Sequence, residues 1–221
     1  MQKPIIILGA GGHAKVLIDA LQLQLANIVG ITDPDPELHG KDVMGIPIIG
    51  DDNSILQYGV NDIMLVNGLG KVNRSSKRMQ IYDTFKERGY IFTRVIHASA
   101  VISPGAYLAE GVHVMAGAVI QTLGTIGVNT IINTRASIDH ECIIGDHVHI
   151  APGTSISGGV KIGDNVLIGA GATIIQGIHV GAGSIVGAGA VVTKDVMEGV
   201  IVMGTPARVV KTSIKVQINN T

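Results

Sequence analysis

Two adjacent residues, His140 and Glu141, have the types and spacing that acid–base chemistry requires. A carboxylate beside an imidazole holds the ring in one orientation and makes it more basic. Both residues interrupt an apolar pattern, so we expect both to point outward or into a corner of the fold. The pair is a candidate general base with its supporter, and solvated corner residues without a catalytic role are the alternative.

A glycine-rich turn near the start of the chain is the second candidate site. Gly9-Ala-Gly-Gly-His13 follows an apolar stretch and precedes a helical pattern. The N–H groups at a helix N-terminus favour phosphate, and Asp33 is placed to accept a ribose hydroxyl. The sixth position of the dinucleotide fingerprint is Ala14, so we predict a mononucleotide or nucleotide-sugar site rather than an NAD site. A turn needed only for packing is the alternative. Lys15 and Arg74 could also contact phosphates, but solvated helix residues are the default interpretation of both.

A six-residue repeat must position the histidine pair. Every sixth residue from Ile96 to Val192 is Ile, Leu or Val, seventeen times in succession, and a small or β-branched residue stands four positions after each. Two inward positions in six residues fit a short strand and a tight turn rather than a helix. Repeats this short bury their apolar positions only by stacking on one another. The pattern predicts a parallel β-helix with three repeats per coil.

Two expectations follow from the repeat. Cys142 occupies a small inward position, which indicates core packing and not a nucleophile. Sharp corners require positive φ, which glycine adopts readily, and we expect this of four glycines: Gly163, Gly169, Gly181 and Gly187.

Histidines of the repeat could also bind a metal. His113 and His149 are thirty-six residues apart, so we expect them on the same edge of the prism, two coils apart. Some left-handed β-helix carbonic anhydrases use this spacing, with a third histidine five residues after the second. That position is Thr154, so no metal is expected.

The region before the repeat reads as a small α/β domain. Its predicted elements are strands Pro4–Leu8, Ile28–Ile31, Ile63–Val66 and Tyr90–Ile96 and helices Ala14–Leu25 and Arg74–Arg88. The domain is about half the size of a complete dinucleotide-binding fold. We therefore predict a Rossmann-like half-domain (residues 1–95), a β-helix domain (96–210) that ends in the turn Gly204–Arg208, and a C-terminal tail (211–221).

Composition excludes several classes of function. A net charge of −1, two Phe and no Trp argue against nucleic acid as a partner. One cysteine fits a reducing compartment, and no signal peptide is apparent, so we expect a cytoplasmic protein. Leu167–Asp195 lacks charge before Lys194, but the repeat continues through it, which favours β-helix coils over a membrane span.

The combination of motifs resembles one acyltransferase subfamily. The motifs are the hexads Ile162–Leu167 and Ile168–Thr173, the turn Gly9–His13, Ile132-Asn-Thr134, the segment Ile138–His149 and Gly204-Thr-Pro-Ala-Arg208. They are similar to the left-handed β-helix sugar acetyltransferases related to sialic acid O-acetyltransferase. The resemblance is closest to the bacillosamine-pathway N-acetyltransferases, which acetylate the C4 amine of a UDP-4-amino-4,6-dideoxy sugar.

The resemblance implies a left-handed coil, acetyl-CoA as co-substrate and a homotrimer with active sites between subunits. It also implies residue roles: His140 as base, Glu141 as its supporter, Asn133 orienting the acceptor or the base, Gly11, Gly12, His13, Asp33 and Gly68 at the nucleotide-sugar, and His149, Gly158, Ala170 and Ala188 at acetyl-CoA. The family often has two consecutive acids where this chain has Asp33-Pro34, which leaves that nucleotide contact open.

The expected function is acetyl transfer to the C4 amine of a UDP-linked amino sugar. Acetylation of a sialic acid hydroxyl or of a GDP-linked amino sugar is the alternative within the same chemistry. A non-catalytic β-helix scaffold and a metal-dependent hydratase are the alternatives from other classes.

Overall fold

The structure is a computed structural model that describes residues 3–70 and 76–212. The side chains of residues 211 and 212 are not part of that description. Arg74, a candidate phosphate contact, and residues 213–221 of the predicted C-terminal tail lie outside the described residues.

The N-terminal domain contains a five-stranded sheet and two α-helices, one after the first strand and one after the last. Its strands are β1 (Ile5–Leu8), β2 (Ile28–Thr32), β3 (Asp42–Val43), β4 (Ile46–Gly50) and β5 (Met64–Asn67). The order across the sheet is β3-β4-β2-β1-β5, and all pairs are parallel except the β3–β4 hairpin. From β1 the chain builds β2, β3 and β4 on one side and then crosses to β5 on the other side of β1. The order of strands therefore reverses at β1, which opens a crevice at its carboxyl end.

Both predicted helices are present, with shifted starts. Helix α1 spans Gly12–Leu23 and helix α2 spans Lys77–Glu87. Helix α1 begins two residues earlier than predicted, because Gly11 serves as its N-cap. The predicted strand Tyr90–Ile96 is wrong over most of its length: only Val95–Ile96 is a strand, and Phe92 makes a single bridge to Leu65.

Seventeen two-residue strands follow, one for each predicted repeat. They are β6 (Val95–Ile96), β7 (Val101–Ile102), β8 (Tyr107–Leu108), β9 (His113–Val114), β10 (Val119–Ile120), β11 (Thr125–Ile126), β12 (Ile131–Ile132), β13 (Ser137–Ile138), β14 (Ile143–Ile144), β15 (His149–Ile150), β16 (Ser155–Ile156), β17 (Lys161–Ile162), β18 (Leu167–Ile168), β19 (Thr173–Ile174), β20 (His179–Val180), β21 (Ile185–Val186) and β22 (Val191–Val192). Each inner strand pairs in parallel with the strands eighteen residues before and after it, and each end strand with one of them, which confirms the β-helix and its three repeats per coil.

The strands form the three faces of a prism. The first face contains β7, β10, β13, β16, β19 and β22, and the second contains β8, β11, β14, β17 and β20. The third face contains β6, β9, β12, β15, β18 and β21, followed by β23 (Val200–Met203) and β24 (Arg208–Thr212). We call the edge between the first and second faces, which carries His140, the histidine edge. The edge between the third and first faces, which carries Ala170 and Ala188, is the alanine edge.

The sixth-residue series fills the prism. From Leu108 to Val192 every member is at most 7% exposed, and only the first two members, Ile96 and Ile102, are half-buried. Cys142 is fully buried, and its Sγ–H donates to the carbonyl oxygen of Ser157, which confirms a packing position. Burial raises the pKa of this thiol.

The predicted role of the corner glycines is wrong. None of the four has positive φ; in the turns that they begin, that conformation falls on the third residue, as at Gly171 and Asn165. The four glycines are instead the first residues of their turns, where the next coil passes very close. A Cβ on Gly169 would lie 2.4 Å from the backbone nitrogen of Ala188, so only glycine fits there.

The end of the prism agrees with the predicted turn. Residues 204–207 form a turn, after which β24 pairs antiparallel with β23. Because β24 runs from Arg208 to Thr212, no structural break separates residue 210 from 211.

The N-terminal domain packs on the third face and on the edge between the second and third faces. Val95 of β6, on the third face, and Met115, in the alanine-edge turn that follows β9, belong to the same buried cluster as Leu17 and Val66. At the adjoining edge, Lys86 of α2 donates to Glu110, whose carboxylate also accepts from the backbone N–H of Phe92. These contacts fix the domain relative to the coils.

Neither helix within residues 3–70 and 76–212 is long and apolar enough to cross a membrane.

Candidate functional site

A cavity of about 350 Å³ lies in the crevice at the carboxyl ends of the parallel strands. All five residues predicted to hold a nucleotide-sugar line it: Gly11, Gly12, His13, Asp33 and Gly68. The glycine turn that follows β1 and the loop that follows β5 form its two sides, and Lys77 and Ile81 of α2 complete it. The structure thus brings together residues that are far apart in the sequence.

Four glycines that line this cavity each meet a different structural requirement. Gly9 has φ +89°, which allows the turn out of β1. A Cβ on Gly68 would lie 2.6 Å from the carbonyl oxygen of Leu8, so the β5 loop can approach β1 only through glycine. Gly11 caps α1 without a side-chain hydrogen bond, and space around Gly11 and Gly12 is open. The first N–H groups of α1 are therefore available to an anion.

Two carboxylates stand at the β2 and β4 end of the cavity. Asp33 accepts from the backbone N–H of Ala10 at 2.8 Å, which ties the end of β2 to the glycine turn. Asp52 accepts from the hydroxyl of Thr32 at 2.6 Å. Burial raises the pKa of the Asp52 carboxyl, and the charges of Asp51 and Asp33 act in the same direction, against the hydrogen bond from Thr32.

Sequence reasoning missed Asp52. The residue follows β4, and the β3–β4 hairpin was not predicted because Met44-Gly45 is an unusual turn sequence. Both turn residues have positive φ, as a two-residue hairpin turn requires, but Asn-Gly or Asp-Gly is the common signal. A recognised strand at Ile46–Gly50 would have placed Asp52 beside Asp33.

His140 and Glu141 occupy a turn of the histidine edge and point outward, with exposed side-chain fractions of 48% and 62%. His140 Nδ1 lies 3.0 Å from Glu141 Oε2. An ionised carboxylate only accepts hydrogen bonds, so Nδ1–H is the donor of this contact and Nε2 is the ring nitrogen left for a substrate. Glu141 has φ +60°, a conformation that costs a non-glycine residue about 1 kcal/mol or more. The strained backbone holds a carboxylate against the imidazole.

Asn133 lies on the alanine edge, not beside His140. Its Nδ2–H donates to His149 Nε2 at 3.1 Å, and its Oδ1 accepts from the backbone N–H of Thr134. The residue predicted to orient the acceptor or the base is thus paired with a residue predicted to contact acetyl-CoA. His149 faces outward and aligns with His113 through Ile131, as the spacing predicted, but both lie on the third face and not on an edge.

The predicted acetyl-CoA residues are divided between two edges of the prism. Ala170 and Ala188 stack on the alanine edge next to the third face, which carries His149. Gly158 lies on the histidine edge, one coil above His140. Within one chain these residues do not form a single groove.

The base and the cavity are also far apart in one chain. The N-terminal domain covers the third face, and the histidine edge is the vertex opposite that face in the triangular cross-section. His140 therefore cannot approach the cavity of its own chain.

Thr154, at the position of the absent third metal ligand, is buried, and its hydroxyl donates to the carbonyl oxygen of Ala151. Within the two described ranges, no group of three or more His, Cys, Asp or Glu side chains is arranged to hold a metal.

Comparison with known families agrees with both parts of the architecture. Residues 4–85 match the PglD N-terminal domain, and residues 159–194 match the hexapeptide repeat of succinyl-transferase.

Several solved structures are similar over nearly their whole length. Perosamine N-acetyltransferase from Caulobacter crescentus, a variant with one histidine replaced by asparagine, in complex with CoA and GDP-perosamine, is 36% identical with a TM-score of 0.87 over 93% of this chain and 96% of that chain. The acetyltransferase domain of PglB from Neisseria gonorrhoeae, in complex with acetyl coenzyme A, is 33% identical with a TM-score of 0.88 over 95% and 100%. WeeI from Acinetobacter baumannii is 27% identical with a TM-score of 0.84 over 94% and 100%.

Identity above 30% over nearly complete chains, together with matches to both families, defines the relationship. The chain belongs to the left-handed β-helix, hexapeptide-repeat family of sugar N-acetyltransferases.

Proposed function

We propose that this protein transfers the acetyl group of acetyl-CoA to the C4 amine of a UDP-linked 4-amino-4,6-dideoxy-N-acetylhexosamine, with His140 as general base. The observation that carries the proposal is the His140 Nδ1 to Glu141 Oε2 contact of 3.0 Å on an exposed edge. With Nδ1 engaged by the carboxylate, Nε2 is the nitrogen that would take a proton from the substrate, as a base must. Similarity to enzymes solved with CoA and a nucleotide-linked amino sugar supports the class of reaction.

The proposed step conserves every atom. The neutral amine attacks the thioester carbonyl carbon, the carbonyl electrons move to oxygen, and His140 Nε2 takes a proton from the amine nitrogen. The intermediate then collapses, the C–S bond breaks, and the proton passes from His140 to the departing sulfur. The products are the N-acetyl sugar and CoA with a free thiol.

The oxyanion of this step requires a positioned donor. Among the hydrogen bonds within the described residues, the backbone N–H of Gly158 donates none. Gly158 lies against the His140 ring, so its N–H is near the place where the amine would attack. We assign it as the oxyanion donor.

The nucleotide is proposed to bind in the N-terminal cavity. The open N–H groups of α1 would hold the pyrophosphate, and Asp33 would accept a ribose hydroxyl. The size and lining of the cavity fit a mononucleotide moiety.

The distance between cavity and base leads to a proposal about assembly. His140 and the cavity of one chain lie on opposite sides of the prism, so a complete site requires the histidine edge of a second copy. We propose the homotrimer that the family resemblance implies, with acetyl-CoA held between Ala170, Ala188 and His149 of one copy and Gly158 of the next. Asn133 would then orient the acceptor from the alanine edge.

Turnover of His140→Ala tests the base. We expect kcat to fall about 10²-fold or more, while calorimetry shows unchanged acetyl-CoA binding. His179→Ala, which removes another exposed histidine of the prism, should retain full activity. Near wild-type turnover by His140→Ala would rule out the base.

Subunit mixing tests the shared site. His140→Ala and Asp33→Ala would each be inactive alone. After joint unfolding and refolding in equal amounts, about a quarter of the sites of a cyclic homotrimer would combine an intact cavity with an intact base. Activity that stays at the level of the two parents would show that each chain contains its whole site.

A panel of UDP- and GDP-linked amino sugars and free sialic acid with labelled acetyl-CoA tests the acceptor. A GDP-linked amino sugar is the second candidate, because the perosamine enzyme was solved with GDP-perosamine. Preference for it or for sialic acid would overturn the UDP assignment and leave the acetyl transfer in place.

A further inference from the structure

Arg78 is a buried cation held by carbonyl groups. It is 3% exposed, and its guanidinium donates to the carbonyl oxygens of Asn67, Leu69 and Asn129. Among the described residues, no carboxylate lies within ion-pair distance of it. Burial lowers the pKa of Arg78 to about 9, so the group stays protonated at neutral pH.

The remaining guanidinium nitrogen faces a buried histidine. Arg78 Nη2 lies 3.4 Å from Nδ1 of His113, which is fully buried. A guanidinium has donors and no acceptor, so His113 Nδ1 must be the acceptor and its ring proton must be on Nε2. That Nε2 is buried and has no hydrogen-bond partner among the described residues.

The tautomer of His113 determines that of His13. His13 Nε2 lies 3.0 Å from the same His113 Nδ1. Because that nitrogen accepts, His13 Nε2 must carry a proton and donate it. Burial lowers the pKa of both histidines well below the ordinary value, and the charge of Arg78 adds to the effect, so both rings are neutral. The proton-free atom of His13 is Nδ1, and His13 is one of the residues that line the cavity.

We propose that Arg78 and His113 are positioning residues that fix His13 as the Nε2–H tautomer, so that His13 Nδ1 accepts a hydrogen bond from a hydroxyl or amine group of the nucleotide-sugar. This inference rests on the proposed function for the identity of the ligand. It assigns a specific chemistry to the His13 side chain: a neutral acceptor nitrogen repels phosphate oxygen, so the imidazole does not bind the pyrophosphate, which lies instead at the backbone N–H groups of α1.

Nitrogen NMR of the histidine-labelled protein without substrate tests the tautomer directly. We expect His13 Nδ1 to give a pyridine-like signal and Nε2 a pyrrole-like signal, assigned by their loss in His13→Asn. The reverse pattern, or a charged imidazolium at pH 7, would overturn the inference. This measurement does not depend on activity, so a failure of the proposed function is distinguishable from a failure of the relay.

Two variants of His113 test the positioning role. His113→Asn places an amide oxygen near the position of Nδ1 and preserves a hydrogen-bond acceptor there, whereas His113→Leu removes the acceptor. In His113→Leu we expect loss of the single His13 tautomer and an increase in KM for the nucleotide-sugar of about tenfold. The values of kcat and of KM for acetyl-CoA should change little, and His113→Asn should resemble the wild type.

The pair of variants also separates positioning from folding. A general structural defect would lower kcat and weaken acetyl-CoA binding as well, and Asn would not restore either. If His113→Leu leaves KM for the nucleotide-sugar unchanged, or if both variants lose activity equally, the positioning role is wrong. Should His113→Leu not fold, the wild-type NMR pattern and His113→Asn still decide the question.

Discussion

The imidazole of His140 lies flat against Gly158 of the next coil. A Cβ on Gly158 would be 2.4 Å from Cε1 and 2.5 Å from Nε2 of the ring. The two residues are in corresponding turns of adjacent coils, and Gly159 N–H donates to the carbonyl oxygen of His140 at 2.9 Å. The backbone of one coil therefore sets the position of the proposed base in the coil below.

Gly158→Ala should displace the base without unfolding the prism. The added methyl group must push the exposed ring aside, and a displacement of about 1 Å lowers turnover by up to 10²-fold. Steady-state kinetics would show the fall in kcat, while the melting temperature changes little.

Gly163→Ala is the matched control for that variant. Its Cβ would lie 2.8 Å from the backbone nitrogen of Ala182, on an edge that does not carry His140. We expect this variant to lose stability and to keep the kcat of its folded fraction. Equal activity losses in the two variants would mean that the coil, and not the ring, is disturbed.

Glu141→Gly should stabilise the protein while impairing it. Glycine adopts the φ of +60° at this position without the side-chain clash, which should increase the free energy of unfolding by about 1 kcal/mol. The carboxylate that holds His140 Nδ1–H is lost, so kcat should fall. Urea unfolding and turnover measured on the same preparations would show the opposite changes.

Glu141→Gln separates the loss of the hydrogen bond to His140 from the relief of backbone strain. Its amide oxygen still accepts from His140 Nδ1, and its backbone keeps the same strain, so stability should match the wild type. A Glu141→Gly variant that is both less stable and fully active would contradict the assigned role of this residue.

The prism could be predicted because equivalent positions in every repeat have the same environment and therefore the same types of residue. The series through Ile138, Ile144 and Ile150 predicts three strands and their burial without any long-range information. The same periodicity does not tell which of four turn residues takes positive φ. Gly163 and Asn165 show this: the glycine approaches the next coil, and the asparagine has the positive φ.

The contacts between domains could not be predicted. His113 occupies an outward repeat position, which predicts exposure, yet the N-terminal domain buries it completely. Arg78 reads as a solvated helix residue, but its partners include Asn129, fifty-one positions away in the sequence. Such pairs depend on how α2 docks against the coils, and that geometry has no periodic signal.

Glu110→Ala should weaken the docking of the N-terminal domain. The carboxylate accepts from Phe92 N–H at 2.9 Å and from Lys86 Nζ at 2.8 Å. Its loss leaves a buried backbone donor without a partner, which costs about 1–3 kcal/mol. Lys86→Met removes only the ion pair and should cost about 1 kcal/mol or less. Equal losses in the free energy of unfolding for the two variants would show that the Phe92 contact contributes nothing.

Stability should fall as the pH decreases below about 6.5, the ordinary histidine value. His13 and His113 have pKa values lowered well below that value in the folded protein, mainly by burial. Between the folded and unfolded pKa values the unfolded chain binds more protons, so each histidine reduces stability by about 1.4 kcal/mol per pH unit. The contribution is fully present above pH 6.5 and is lost progressively as the pH decreases toward the folded pKa. Urea unfolding at fixed protein concentration, at pH 7, 6 and 5, should show a smaller slope for His113→Asn than for the wild type; parallel slopes would mean that the buried His113 is not neutral in the folded protein.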